Sequence, residues 1–234
     1  MSGRLAGRRA LVTSADRYLG PAVVDLFGKE GAEVIADTSD YTKGPDVPRK
    51  VVEKAGQIDI LVPIFAGPLR IMPFTNMLGP VTEAKDEDLQ AYLNELVWPM
   101  VRFVRAVLPQ MYQRRSGKIV AVTSASPMRA IEGLAIYTGC RGYQNAFLMV
   151  AGAEAAHHNV QINGIGPAFI ENPSYFTPQM LGDPNIRKSL TDVIPAERIC
   201  DTWEAAELVL SLATDAGNFL AGQIIPISGG WATH

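Results

Sequence analysis

The sequence predicts an α/β fold with a mostly parallel central sheet and helices on both faces, and three observations carry that reading. Short β-branched, apolar runs alternate with longer stretches of helical character, the pattern of repeated strand–helix–strand units. The chemistry-bearing residues fall at the carboxyl ends of those runs, where open α/β sheets place their ligand crevice. A chain of 234 residues suffices for one such domain, 1–234, with a large buried core.

The elements follow in order. Arg9–Thr13 reads as the first strand, and Pro21 to about Glu30 as the helix after it. Glu33–Ala36 is the second strand, ending at Asp37. A turn-rich piece, Tyr41–Pro48, and a short helix from about Arg49 to Ala55 lead to the next run, Asp59–Val62. Residues 67–85, punctuated by Gly67, Pro68, Pro73, Gly79 and Pro80, form a long loop. Loops of that length are often binding loops, and this one suits a pocket cover or packing onto the body equally well. Asp86 to about Arg114 is helical with an acidic first turn, kinked or divided at Trp98-Pro99 and Pro109. Lys118–Thr123 is a buried strand, followed by a helix from about Leu134 to His157 and a strand at Gln161–Ile165. Residues 171–200 form a proline-rich flap. Asp201 and Glu204 have capping-box spacing and start a helix to about Ala213, and Gly222–Ile227 is the last strand.

Composition narrows the function. Apolar content of 47% and charged content of 19% suit a soluble globular protein, and a net charge of −3 gives no reason to expect nucleic acid or a membrane surface as partner. No run of about 18 apolar residues is present, and the first residues lack the apolar core of a signal peptide. Cys140 and Cys200 make no disulfide framework, so a reducing cytoplasm is the simplest setting. Cys140 reads as a packed helix residue, since no histidine accompanies it in a catalytic pattern. His157 and His158 point apart on a helix with no clustered acid, so no metal site is expected.

The chemistry concentrates between Ser124 and Arg141. Ser124 stands at the carboxyl end of a strand, while Tyr137 and Arg141 lie one turn apart on one helix face. A free phenol is a poor base at neutral pH. A cation at roughly 5 Å, with an effective dielectric near 20, stabilises the phenolate by about 3 kcal/mol. Arginine never gives up that charge. Tyr137 is therefore placed to act as general base toward a hydroxyl that Ser124 holds.

Serine, tyrosine and then a cation four residues on is the spacing of the short-chain dehydrogenase/reductase superfamily, whose members normally carry lysine last. With Arg141 in that place the chain resembles the halohydrin dehalogenases (haloalcohol dehalogenases), cofactor-free relatives of those oxidoreductases. The resemblance runs nearly end to end, from Gly3-Arg-Leu-Ala-Gly7 to Gly229-Gly-Trp-Ala-Thr233. It implies a Rossmann-like three-layer αβα sandwich with its nucleotide half reduced. Where dehydrogenases carry Thr-Gly-x-x-x-Gly-x-Gly, this chain has Thr13-Ser-Ala-Asp-Arg-Tyr-Leu-Gly20, so Ser14 and Tyr18 replace two glycines. A tyrosine ring there fills space that pyrophosphate needs. Asp37 argues the other way, because an acid at that strand end normally holds an adenine ribose; it reads as retained ancestry or a capping group. Only about twenty residues separate Asp37 from Asp59, too few for the usual helix, strand and second helix, so the strand that walls the adenine pocket is expected to be absent. Pro63-Ile-Phe-Ala-Gly67 replaces Asn-Asn-Ala-Gly, and Leu96 falls near the place of the relay asparagine, with Asn94 on the wrong face to substitute.

From the same resemblance, Pro167, Ala168, Phe169 and Ile170 form a halide loop, with Tyr18 as its aromatic edge. Pro167 has no N–H, so the donors come from the residues after it, with Phe169 and Ile170 as the family's equivalents. The expected substrate lining is Phe65, Ser126, Met128, Leu134, Tyr175 and Phe176; for Tyr175 and Phe176, exposed packing is an equal alternative. The expected reaction converts a vicinal haloalcohol to an epoxide, halide and a proton without a cofactor, and opens epoxides with small anions in reverse. A homotetramer is implied, paired through the small residues of the helix after Tyr137 and the long helix before it. A nicotinamide-dependent reductase and a non-catalytic scaffold remain as alternatives.

Overall fold

The structure is a computed structural model describing residues 3–67, 79–174 and 176–233. The first half runs β1 (Arg9–Thr13), α1 (Gly20–Lys29), β2 (Glu33–Asp37), α2 (Val47–Ala55), β3 (Ile60–Val62), α3 (Asp86–Tyr92) and α4 (Trp98–Arg114). The second runs β4 (Gly117–Val122), α5 (Ala135–Ala156), β5 (Val160–Pro167), α6 (Pro178–Leu181), α7 (Pro184–Thr191), α8 (Thr202–Ala213) and β6 (Ile224–Ile227). The six strands are parallel in the order β2-β1-β3-β4-β5-β6. The chain reverses direction across the sheet between β1 and β3, which opens a crevice at their carboxyl ends. Among the described residues no strand lies beyond β2, so the expected loss of the next strand holds there.

Burial on both faces explains the strand sequences. β3 and β5 are buried along their whole length, as strands covered by helices on each side must be. One core cluster joins α2, α4 and α5 to one face through Leu61, Phe103, Val107, Ile119 and Leu148. The other joins α1 and α8 to the opposite face through Val23, Phe27, Val120, Ile165 and Leu210. A third, smaller cluster sits under the flap around Phe169, Phe176, Ile194 and Trp231.

Several boundaries differ from the sequence reading for local reasons. β5 continues to Pro167, because Ile227 on β6 extends the ladder past Ile165. The flap carries two short helices, α6 and α7, each started by a capping side chain, Thr177 and Asp183, with proline following. The long helical stretch is divided not at the prolines alone but by a π-turn, Leu93–Val97, just before Pro99. Pro109 stays inside α4. The capping box of α8 forms as its spacing implied, with Glu204 Oε2 accepting from Asp201 N at 2.9 Å. Among the described residues no helix is long and apolar enough to cross a membrane. His158 stacks on Tyr112 with ring centroids 4.0 Å apart, a packing role.

One expectation is corrected. Gly152 is among the small residues assigned to contact between subunits, yet it serves the protomer's own sheet. A Cβ there would overlap Gly222 N and lie 2.8 Å from Ile162 O. Other members, Gly139, Ala146 and Ala153, do face outward, and together with Tyr143 and Val150 they form an exposed stripe along α5. Gly152→Ala is therefore expected to cost about 3 kcal/mol, since backbone cannot yield as a flexible side chain does. In thermal unfolding that lowers Tm by about 6 °C or more for a chain of this size. Gly28→Ala in α1, where a Cβ meets nothing within 4 Å, leaves Tm unchanged or higher.

Candidate active site

The crossover from β4 through α5 to β5 positions the candidate side chains Ser124, Tyr137 and Arg141. β4 ends at Val122, and Ser124 follows at its carboxyl end. α5 starts on that edge of the sheet and carries Tyr137 in its first turn. Asn145, two turns on, donates from Nδ2 to Ser124 O at 3.4 Å, pinning the helix to the strand exit. The Ser124 hydroxyl accepts from Ser126 N at 3.0 Å and lies 3.5 Å from Pro167 O. That second contact is at the limit of a hydrogen bond, so the hydroxyl proton remains available to a ligand.

Tyr137 and Arg141 meet as their spacing implies. Arg141 Nε donates to the Tyr137 hydroxyl at 3.2 Å, and the guanidinium carbon lies 5.3 Å from the ring centroid. Arg141 is 2% exposed, and a charge so deep must have its donors satisfied. Nη1 donates to Gln144 Oε1 at 2.9 Å and Nη2 to Phe65 O at 3.1 Å. Among the described residues these acceptors are a phenol, a side-chain amide and a backbone carbonyl, none of them a carboxylate. Gln144 in turn donates from Nε2 to Leu96 O at 2.9 Å, within the π-turn. Phe65 thus contributes its carbonyl to the site, while its ring packs edge-on against Tyr41 at 5.3 Å. Leu96 likewise acts through its carbonyl, and its side chain fills against Gly67. Sequence reasoning missed Gln144; its signal was a polar residue one turn beyond Arg141 on a buried helix face.

The loop between β1 and α1 keeps a glycine-like backbone but not its glycines. Ser14 and Tyr18 adopt φ of 48° and 51°, the left-handed region in which glycine is at ease. Each such residue costs on the order of 1–2 kcal/mol, so their side chains are installed against local preference. Gly20 is retained because a Cβ there would overlap Ser14 O. Tyr18 is buried, and its backbone N–H donates to Ser174 Oγ at 3.0 Å. Ser174 is itself fixed by Asn172 Oδ1, which accepts from Ser174 N at 2.9 Å, so the flap is latched onto the loop. Burial pushes the Tyr18 phenol well above its ordinary value; the neighbouring Tyr137 adds to this and the Arg141 charge opposes it. Tyr18 is a neutral hydroxyl throughout the working range.

A second tyrosine, not singled out from sequence, completes the closure. Tyr41 donates to Asp37 Oδ2 at 2.6 Å and accepts from Ser14 N at 3.2 Å. Ser39 Oγ donates to Asp37 Oδ1 at 2.6 Å. Both oxygens of the acid that holds ribose in dinucleotide folds are therefore engaged within the chain. The capping role suggested for Asp37 is corrected: Asp40 caps the short helical turn Tyr41–Lys43, accepting from Thr42 N. A cavity of about 340 Å³ remains beside these residues, and it carries Asp16, Asp40 and Glu95 against Arg17. Three acids against one base disfavour a diphosphate. With Tyr18 and Tyr41 in place, the residues present do not fit a nicotinamide dinucleotide.

The segment 167–170 continues β5 alongside β6. Ala168 N–H is committed to Ile227 O at 3.1 Å, and Pro167 O accepts from Ala125 N at 2.9 Å. Pro167 has no N–H, and the N–H of Ala168 is taken by β6, so neither offers one to an anion. The strand extension to Pro167 is the cause. Phe169 lies beside Phe176 at 5.8 Å and edge-on to Trp231 at 5.7 Å, so Phe176 is a buried packing partner rather than an exposed one. Trp231, also unforeseen, is held by Arg129, whose Nη1 donates to Trp231 O at 2.9 Å. Met128 packs against this cluster, and Leu134 is buried beside Tyr137 in the core. Ser126 Oγ is buried with no hydrogen-bond partner among the described residues. Tyr175 lies outside the described residues, as do residues 68–78 of the long loop.

Comparison with known proteins places this geometry in context. The family described as enoyl-(acyl carrier protein) reductase matches residues 6–232. A 3-oxoacyl-[acyl-carrier-protein] reductase of Thermotoga maritima is 29% identical, covering 97% of this chain and 98% of the relative. A tropinone reductase homolog of Arabidopsis thaliana is 27% identical, covering 98% of this chain and 92% of the relative. A solved structure described as a dehalogenation enzyme superposes with a TM-score of 0.87 at 29% identity, covering 97% of this chain and 99% of that one. A putative gluconate dehydrogenase from Agrobacterium tumefaciens gives a TM-score of 0.83 at 23% identity, covering 97% of this chain and 96% of that one, a likeness of fold. The poor fit of this crevice to a dinucleotide generates a direct test. Titration with NADH or NADPH, followed by cofactor fluorescence, is expected to show no saturable binding up to about 1 mM.

Proposed function

The chain belongs to the short-chain dehydrogenase/reductase superfamily, and we propose that within it this protein is a halohydrin dehalogenase working without a nucleotide. The observation that carries the reading is a phenol–guanidinium pair, Tyr137 and Arg141, beside a cradle occupied by Tyr18 and Tyr41. The likeness to the dehalogenation enzyme adds support. A fold that keeps the base and fills the hydride donor's place suits a reaction that needs only the base.

In this proposal a small vicinal haloalcohol binds with its hydroxyl between Ser124 and Tyr137. The Tyr137 phenolate, stabilised by the Arg141 Nε–H, takes the hydroxyl proton. The resulting alkoxide oxygen attacks the adjacent carbon from the side opposite the halogen. The C–O bond forms as the carbon–halogen bond breaks, and the halide leaves with its electron pair toward Tyr18, Phe169 and Ile170. The proton passes from Tyr137 to water. Nucleophile and leaving group belong to one molecule, so orientation alone supplies an effective molarity on the order of 10⁵ M or more. The protein contributes base strength and stabilisation of departing negative charge. A neutral Tyr18 is essential, because a phenolate there would repel the halide. The exposed apolar stripe of α5, with Trp98 exposed on α4, suits a paired-helix contact between copies, and a homotetramer forms part of the proposal.

The rival reading is a nicotinamide-dependent reductase, favoured by the curated relatives' names and by Asp37. The two part cleanly in one assay. Incubation with 1,3-dichloro-2-propanol and no nucleotide is expected to release chloride and acid, and Tyr137→Phe is expected to lower that rate by about 10²-fold or more. Carbonyl reduction that requires NAD(P)H, with no chloride released, would instead establish the reductase. For the assembly, light scattering is expected to report a tetramer that Val150→Glu dissociates, by burying a charge in the paired face.

A further inference from the structure

We infer that Gln144 is a positioning residue that fixes the direction of the Arg141 guanidinium, and so the electrostatic strength of the Tyr137 base. This deepens the dehalogenase reading and rests on it for its kinetic consequence. Gln144 is fully buried, at 0% exposure, three residues beyond Arg141 on α5. Its amide stands in line between two groups of opposite kind. Arg141 Nη1 can only donate, so the amide oxygen must face it; Leu96 O can only accept, so the amide nitrogen must face that. Both contacts are 2.9 Å, and their partners leave the amide one orientation.

The acceptor comes from an irregular piece of backbone. Leu96 lies in the π-turn Leu93–Val97, and Pro99 just after it brings no N–H to the helix. π-turns of this kind are commonly found at functional sites. Here the turn offers a carbonyl to a side chain of α5, coupling the α3–α4 joint to the guanidinium. Phe65 O holds Nη2 from the end of β3. Between these two anchors the third donor, Nε, is left directed at the phenol. An amide suits the place because it is neutral. A carboxylate there would hold the same Nη1 while cancelling much of the charge that favours the phenolate.

The experiment uses the full chain and two variants. Gln144→Glu keeps size and the acceptor toward Nη1 but adds a negative charge; Gln144→Asn keeps the chemistry but is a methylene short of spanning both partners. Tyrosinate ultraviolet absorbance is followed against pH for each protein minus its Tyr137→Phe counterpart, with folding checked by circular dichroism. In Gln144→Glu the Tyr137 ionisation midpoint is expected to rise by about one pH unit or more. kcat/KM for chloride release is then expected to fall about tenfold at neutral pH and to recover as pH is raised. In Gln144→Asn kcat is expected to fall about tenfold with KM little changed. A folded Glu variant whose midpoint stays in place, or a folded Asn variant with unchanged kcat, overturns the inference. If the unaltered protein releases no chloride, the dehalogenase reading fails, and the absorbance titration still judges Gln144 by itself.

Discussion

A buried guanidinium sets the terms for the rest of this site. Removing an arginine from water is costly, and the cost is tolerable only when its fixed fork of donors finds acceptors of matching geometry. Arg141 finds them on separate elements: the phenol of Tyr137 and the amide of Gln144 on α5, and the carbonyl of Phe65 at the end of β3. Gln144 extends the contact to Leu96 in the π-turn. The sheet, the joint between α3 and α4, and α5 are thereby tied to one cation. A lysine has rotatable donors on a compact ammonium and would not bind these three directions in the same way. The change of residue type and the rearranged surroundings therefore belong together.

The same economy explains the loop between β1 and α1. Ser14 and Tyr18 occupy left-handed backbone that favours glycine. Two residues of this kind store on the order of 2–4 kcal/mol, a large fraction of what keeps a domain folded. That strain persists because neighbours over-determine the conformation. Tyr41 takes the Ser14 N–H, Ser174 takes the Tyr18 N–H, and Gly20 lets the loop close on itself. Strain held in place by contacts from the turn after β2, the flap and the loop itself points to a selected arrangement of side chains rather than to drift.

How far the amino-acid order alone reached depends on the range of the interactions involved. The strands, the helices outside the flap and the Tyr137–Arg141 contact follow from periodicity and from a four-residue spacing, which are local, and they stand within a few residues of where they were expected. The capping box of α8 is local too. What escaped is long-range. Gln144 matters only because Leu96, 48 residues away, faces it. Tyr41 lay in a segment that read merely as turn-rich, yet it closes on Asp37 and Ser14. The committed N–H of Ala168 depends on β6 extending the ladder past Ile165, and Trp231 reaches Phe169 only in three dimensions. Apart from Tyr41 and Asp37, which are four residues apart, no short window of sequence contains both partners of these contacts.

Neutrality of the filling groups is the last requirement. Where a dinucleotide would lie, the chain places two phenols, and burial raises both above their ordinary range; beside Tyr41 the Asp37 carboxylate adds to the effect. Phenols so held do not ionise, so they close the space without adding charge. An acidic plug would draw the guanidinium's field away from Tyr137, and a basic one would compete for the departing anion at the wrong distance. An aliphatic plug would close the cradle but leave the Asp37 carboxylate and the Ser14 N–H without the partner that Tyr41 now gives them. Tyrosine at position 41 satisfies both polar groups with one hydroxyl and still presents a ring to Phe65 and Phe103. In the proposed reaction the chemistry at Tyr137 thus depends on electrically silent packing in the cradle, which leaves the Arg141 charge directed at the phenol.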